Sequence, residues 1–424
     1  MNEFKLKNNL RVLFAPSKGT DTVTVLVLVR VGSRYEYQTI NGASHFIEHL
    51  LFKGTKRRPN AQSISRVLDA VGADFNAYTD KHVTGYYVKV DKNHLSTAVD
   101  LLEDMVFHSV FDTKELNRER KVVIEEINMY RDTPARHVED MLEEVLFKGN
   151  TLSWNIAGTP KGMIDMSKEE IMAYHQAYYR PSNMVVVVSG NIDRSARVLL
   201  EQKFGKNKES GLEGDDFNPF VSEEGREMDK RVAVQFKDTA QVQVAIGFPS
   251  YGIRDDRNEA LRLLSVILGG NMSSRLFTQV REKKGLAYAV NASNYVYDDV
   301  GVVSVQAGLD RTRMPLAVKT ILNELKKIAR TGVSVEELKE AKTFIQGQVS
   351  IRLEDSQNRA EWYAKQVMFQ SRVKSPGTYL KHIDEVTQSD LLKVAREVLD
   401  MNKMCMAVIG PYKDTKDFLV KVKL

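Results

Sequence analysis

The sequence predicts an α+β protein made of two homologous halves, each an α/β-sandwich-like unit with a largely antiparallel sheet. Three observations predict it: a weak internal repeat, strands that pair around turns while helices come in blocks, and a polar stretch halfway along the chain. The repeat has an offset of about 213 to 222 residues. In SKEEIMAYHQAYYRPSNMVVVVSGNID, a capping box of Ser167 and Glu170 opens an amphipathic helix that leads into a valine-rich strand ending at Gly190. TQSDLLKVAREVLDMNKMCMAVIGPYKD repeats this from Thr387 and Asp390 to Gly410. Gly72 to Phe75 parallels Gly285 to Tyr288, Ala98 to Leu102 parallels Ala317 to Ile321, and Glu115-Leu116 parallels Glu337-Leu338.

Along the chain, period-two alternation predicts strands over Val23 to Val31, Tyr86 to Val90, Gln241 to Phe248 and Val302 to Ala307. NASNYVYDDVGVVSVQAG reads as two strands around a turn, which favours antiparallel pairing over a doubly wound sheet. GKNKESGLEGDDFNPFVSEEGRE is rich in Gly, Asn and charge and lacks apolar periodicity. We therefore expect a first domain over 1–208, a linker over 209–227 and a second domain over 228–424.

Composition narrows the classes of function. The chain has 424 residues, 42% hydrophobic and 28% charged, as expected of a globular protein with more than one core. No apolar run nears the ~18 residues of a spanning helix, and MNEFKLKNNLRVLF lacks the features of a secretory signal, so no membrane role is expected and the cytoplasm is the default location. A single cysteine, Cys405, excludes an internal disulfide framework, and its apolar neighbours suggest a buried strand thiol. A net charge of +5 with no block of like charge gives no reason to expect nucleic acid.

The stretch NGASHFIEHLLFKGT carries the chemistry. On a helix His45 and His49 are one turn apart and share a face, with Glu48 beside them, while Phe46, Ile47, Leu50 and Leu51 supply apolar faces. Two histidines four apart are more often a surface pair; the glutamate between them makes a metal site the better reading. A catalytic zinc site needs a third protein ligand and an open position. The helix expected from Asp112 through KELNRERKVVIEEINMYRD offers Glu125 or Glu126. Periodicity does not choose between them, although Glu126 shares a face with Glu119, seven residues earlier. The remaining histidines, His82, His94, His108, His137, His175 and His382, read as structural.

HFIEH is the inverted zinc motif H-x-x-E-H. With HLLFKGT, GADFNAYTDKHVTGYY, ERKVVIEEI and SSRLFTQVREKKGLAY in order along nearly the whole chain, it resembles the pitrilysin/insulinase metallopeptidases, and within them bacterial relatives of the mitochondrial processing peptidase subunits. The resemblance implies the processing-peptidase-like fold and one Zn²⁺ per chain. It implies His45, His49 and Glu126 as metal ligands, Glu119 as the acid that orients the site, and Glu48 as general base. It further implies that Arg281 and Tyr288 contact substrate, that Asn76 and Ala77 lie on the edge strand that pairs with a peptide, and that Phe52 lines the pocket. The second half has lost the site: Leu264 and Ser265 stand where Glu48 and His49 would fall, and Gln348 stands opposite Glu126.

The same resemblance implies peptide substrates, unfolded ones above all, and a homodimer with composite sites, in which the Arg/Tyr pair reaches the zinc from the opposite unit. Arg136 stands ten residues past Glu126, where the mitochondrial enzymes carry acids, and LGGNMSSRLF has only Gly269-Gly270 of the long glycine loop. Both departures favour a general peptidase over a dedicated presequence processor. The competing expectation is a noncatalytic core subunit of the same fold.

Overall fold

The computed structural model describes residues 1–209, 213–222 and 225–422. Residues 210–212 and 223–224, inside the expected linker 209–227, lie outside the described residues, as do 423–424. Two compact units result. The first comprises Met1–Asn128, Trp154–Phe217 and Ser350–Val373; the second comprises Met129–Ser153, Asn218–Val349 and Lys374–Leu424.

The first unit holds a six-stranded sheet of β1 (Asn2–Lys5), β2 (Arg11–Pro16), β3 (Thr22–Val29), β4 (Asp74–Thr79), β5 (Thr84–Asp91) and β6 (Met184–Gly190), in the order β1-β2-β6-β3-β5-β4. The second holds β7 (Val232–Phe236), β8 (Gln241–Tyr251), β9 (Ala287–Val296), β10 (Val300–Asp310) and β11 (Cys405–Gly410), in the order β7-β11-β8-β10-β9. From β2 onward the two orders are the same. In each, one parallel pair (β2 with β6, β7 with β11) stands among antiparallel ones. The capping boxes at Ser167 and Thr387 form in both copies. Gly72 and Gly285 both turn through the left-handed region, at φ +59° and +57°.

The strand β3, TVTVLVLV, is apolar along nearly its full length because both its faces are covered. Val23, Val25, Val27 and Val29 join the core with Phe46, Ile47 and Val123 from the helices on one side. On the other side packs the helix Ser356–Phe369, which lies against β2, β3 and β6. Its Ser356 hydroxyl bonds Thr24 at 2.8 Å, and Asp355, which caps its first turn, takes a salt bridge from Lys89.

The second unit is built in the same way. Val242, Val244, Ile246 and Phe248 of β8 face one core, while Ala245 meets the helix Pro134–Leu146 through Val138, Leu142 and Leu146. That helix lies so close that a Cβ on Gly247 would come 2.8 Å from Leu142.

Relative to the contiguous stretches 1–208 and 228–424, each unit thus includes a helix from the other half of the chain. The reason is the two-sided sheet: helices local in sequence cover one face, and the second face is closed by a distant amphipathic helix. Among the described residues, no helix is long and apolar enough to cross a membrane.

Candidate metal centre

The helix Ala43–Leu51 starts at Gly42, whose φ of +101° lies in the left-handed region. A Cβ there would come within 2.5 Å of Met163 Cε and 2.7 Å of the Ala157 carbonyl oxygen, so the position requires glycine. Glycine brings no side chain to cap the first turn, and Glu36 supplies the acceptor. Its carboxylate takes the backbone N–H of Gly42 at 2.7 Å and of Ser44 at 2.8 Å, with Asn41 Nδ2 at 2.9 Å. A buried anion there meets the unpaired N–H groups and the positive end of the helix dipole. Burial nonetheless pushes the Glu36 carboxyl above its ordinary pKa, against those same hydrogen bonds.

One helical turn apart, His45 and His49 bring their ring centroids to 4.6 Å. Glu126 approaches from the helix Thr113–Asp132, its Oε2 3.7 Å from His45 Nε2 and 3.4 Å from His49 Nε2. Glu125 is exposed on another face of that helix. One ligand atom from each of His45, His49 and Glu126 lies within 4.8 Å of the others, and this is the one such group among the described residues. Donors bound to zinc at about 2.0–2.1 Å in tetrahedral geometry sit about 3.3 Å apart. The three residues therefore fit a tetrahedral ion with its fourth position open.

Glu119, buried two turns before Glu126, sets the ring of His49. Its Oε1 lies 2.9 Å from His49 Nδ1, and its Oε2 is 2.7 Å from Lys53 Nζ. Accepting the Nδ1 proton leaves Nε2 for Glu126 and a metal. Burial works to raise the Glu119 pKa, but the bonds from His49 and Lys53 outweigh it and hold the carboxyl low.

The two imidazoles titrate apart. Burial, aided by the charge of His49, pushes His45 down to about 4. Burial also opposes charge on His49, but its bonds to Glu119 and Glu126 overcome that and raise it to about 9. Glu48, which shares the helix, is lifted by burial. Its Oε2 accepts the Thr79 hydroxyl at 2.7 Å.

The expected peptide-contact residues of the first unit stand nearby. Asn76 and Ala77 lie on β4, the edge of the sheet, paired on one side only with Tyr87 and Tyr86 of β5. Phe52, just past the zinc-motif helix, packs with its ring centroid 6.2 Å from that of Phe75 on β4. Arg281 and Tyr288 belong to the second unit. The Arg281 guanidinium lies over Phe277 at 4.7 Å and Tyr288 at 5.8 Å, on a π-helical turn Phe277–Glu282. Tyr288 is 75% exposed at the start of edge strand β9, so its ring is open to a ligand. Leu264 and Ser265 are buried on a helix of the second unit, and among the described residues no metal-binding set includes them.

Sequence reasoning missed Glu36, Lys53 and Thr79. Glu36 precedes the helix by a loop, and Thr79 sits on a strand 31 residues from Glu48, so no spacing rule links them. Lys53 lies just past the end of the helix at Leu51 and meets Glu119 on another helix, so no spacing rule reaches it either.

A family model described as Insulinase (Peptidase family M16) matches residues 11–160, and one described as Peptidase M16 inactive domain matches residues 165–345. The chain is 32% identical over 415 residues to an uncharacterized zinc protease of Bacillus subtilis, covering 97% of this chain and 98% of that protein. It is 33% identical to an uncharacterized zinc protease of Streptomyces coelicolor, covering 96% and 89%. Among solved structures, a protease from Helicobacter pylori superposes with a TM-score of 0.89 at 25% identity, over 97% of this chain and 99% of that one.

Proposed function

This chain belongs to the insulinase family of peptidases, M16, and from that premise we propose that it is a zinc-dependent endopeptidase acting on unfolded peptides. The observation that carries the reading is the convergence of His45, His49 and Glu126 on one point beside Glu48. Zinc held there supplies a Lewis acid that acidifies water and polarises a carbonyl.

The chain's own residues supply the rest. Glu119 fixes the His49 tautomer. Glu48, whose raised pKa suits a base that must also give its proton back, takes a proton from the attacking water and returns it to the leaving amine. The edge strand β4 aligns an extended peptide by main-chain pairing at Asn76 and Ala77, and Phe52 lines the pocket beyond the scissile bond. Arg281 and Tyr288, from the opposing copy in a homodimer, hydrogen-bond the substrate and the developing oxyanion. Arg136, ten residues past Glu126, and the short Gly269-Gly270 stretch support a general peptidase over a dedicated processor.

The test is cleavage of an unfolded peptide library by the zinc-loaded protein, with Glu48→Gln as control. Cleavage by wild type and its loss in the variant, at equal zinc content, are the expected results. A wild-type chain that holds zinc and cleaves nothing would favour a noncatalytic core subunit instead.

A further inference from the structure

We infer that Thr79 is a positioning residue for this reaction, one that fixes the general base and ties it to the strand that holds the peptide. The inference rests on the peptidase reading above. Among the described residues, the hydrogen bond made by the Glu48 side chain is the one from the Thr79 hydroxyl, 2.7 Å from Oε2. A glutamate on a short helix has three side-chain torsions to lose, and nothing in the H-x-x-E-H spacing itself restrains them.

Thr79 has little freedom of its own. It is the last residue of β4, locked in register opposite Thr84 of β5, and its side chain is β-branched. A hydroxyl on such a base donates along a fixed line. It occupies one oxygen of the Glu48 carboxylate and leaves the other to take the proton.

The placement on β4 gives the contact its second consequence. Side chains two apart on a strand share a face, so Thr79 lies on the same side of the sheet as Ala77 and Phe75, and Phe75 in turn packs against Phe52. A peptide that pairs with the outer edge of β4 therefore stiffens the element from which the Glu48 bond is made. Aligning the substrate and aiming the base are then tasks of one six-residue strand.

Valine at 79 keeps the shape and strand preference of threonine and removes only the hydroxyl. We expect Thr79→Val to fold and bind zinc as wild type does, to melt somewhat lower because the Glu48 carboxylate loses its partner, to keep its KM, and to lose kcat on the order of 10- to 100-fold, the size of a lost hydrogen bond to a charged group. Thr79→Ser should recover most of that loss. A second readout needs no turnover. In crystals of the metal-free proteins, the Glu48 carboxylate should hold one conformer on residue 79 in wild type and Thr79→Ser, and leave it in Thr79→Val. An unchanged kcat in the valine variant, or a Glu48 that stays in place without the hydroxyl, overturns the inference. If wild type cleaves nothing, the peptidase reading falls by itself, and the crystallographic comparison still decides whether Thr79 holds Glu48.

Discussion

His49 Nδ1 lies 2.9 Å from Glu119 Oε1, and this bond turns the opposite ring nitrogen toward Glu126. Glu119 is itself held by Lys53, so the imidazole is aimed by a fixed pair and not by one mobile carboxylate. Glu119→Gln keeps the shape but weakens the acceptor and strands the Lys53 charge. Zinc affinity should fall about 10- to 100-fold, with less change in melting temperature, as read by competition with a chromogenic chelator.

Zinc content should be about one per chain in the purified protein and fall to near zero in Glu126→Gln, because two imidazoles alone leave a weak site. Elemental analysis of both proteins after the same dialysis decides it. Equal zinc in the two would remove Glu126 from the ligand set.

The raised pKa of His49 sets a pH dependence. Metal-free, His49 goes from its ordinary 6.5 to about 9, so near neutral pH a metal must displace its Nε2 proton. Apparent zinc affinity should rise about tenfold from pH 7 to 8 and level off through 9, with close to one proton released per ion at pH 7. Calorimetry in two buffers of different ionisation enthalpy measures that proton. The same shift stabilises the metal-free fold fully below pH 6.5, and its contribution is lost as pH rises through about 9. His45, depressed to about 4, acts in the opposite sense: stability is lost as pH falls from 6.5 toward 4, where the unfolded chain binds the extra proton.

Removing the Glu36 carboxylate leaves the N–H groups of Gly42 and Ser44 buried without acceptors. Glu36→Ala should cost about 2–3 kcal/mol in urea unfolding, with Glu36→Gln milder because one oxygen remains. A loss within a few tenths of a kcal/mol would mean that the helix is capped in another way.

Composite sites make a prediction of their own. Glu48→Gln and Tyr288→Phe homodimers should each be nearly inactive, while a heterodimer of the two keeps one site with both residues intact. Random mixing should then restore about a quarter of wild-type activity. No recovery in mixed dimers counts against Tyr288 acting on the other copy's zinc.

Much of this arrangement is legible in the chain because it is periodic. The H-x-x-E-H spacing puts two imidazoles on one helix face, and the shared face with Glu119 points to Glu126 over its exposed neighbour Glu125. The repeat appears in the strand orders of both sheets. Glu36, Thr79 and the exchanged helices were not legible, for a common reason. Each depends on where a distant segment arrives, and an amphipathic helix carries the same apolar stripe whichever sheet it covers. The helices Pro134–Leu146 and Ser356–Phe369 read as helices without naming the sheets they close.

The helix Ser356–Phe369 also fixes an order of synthesis. The sheet beside the metal centre is complete in its strands once Gly190 has been made, yet its second face stays bare until Phe369 follows. On the ribosome, the unit with the candidate metal centre must wait through the synthesis of about 180 further residues with an apolar surface uncovered. A separately expressed segment 1–208 should therefore be protease-sensitive, and adding the peptide 350–373 in trans should protect it.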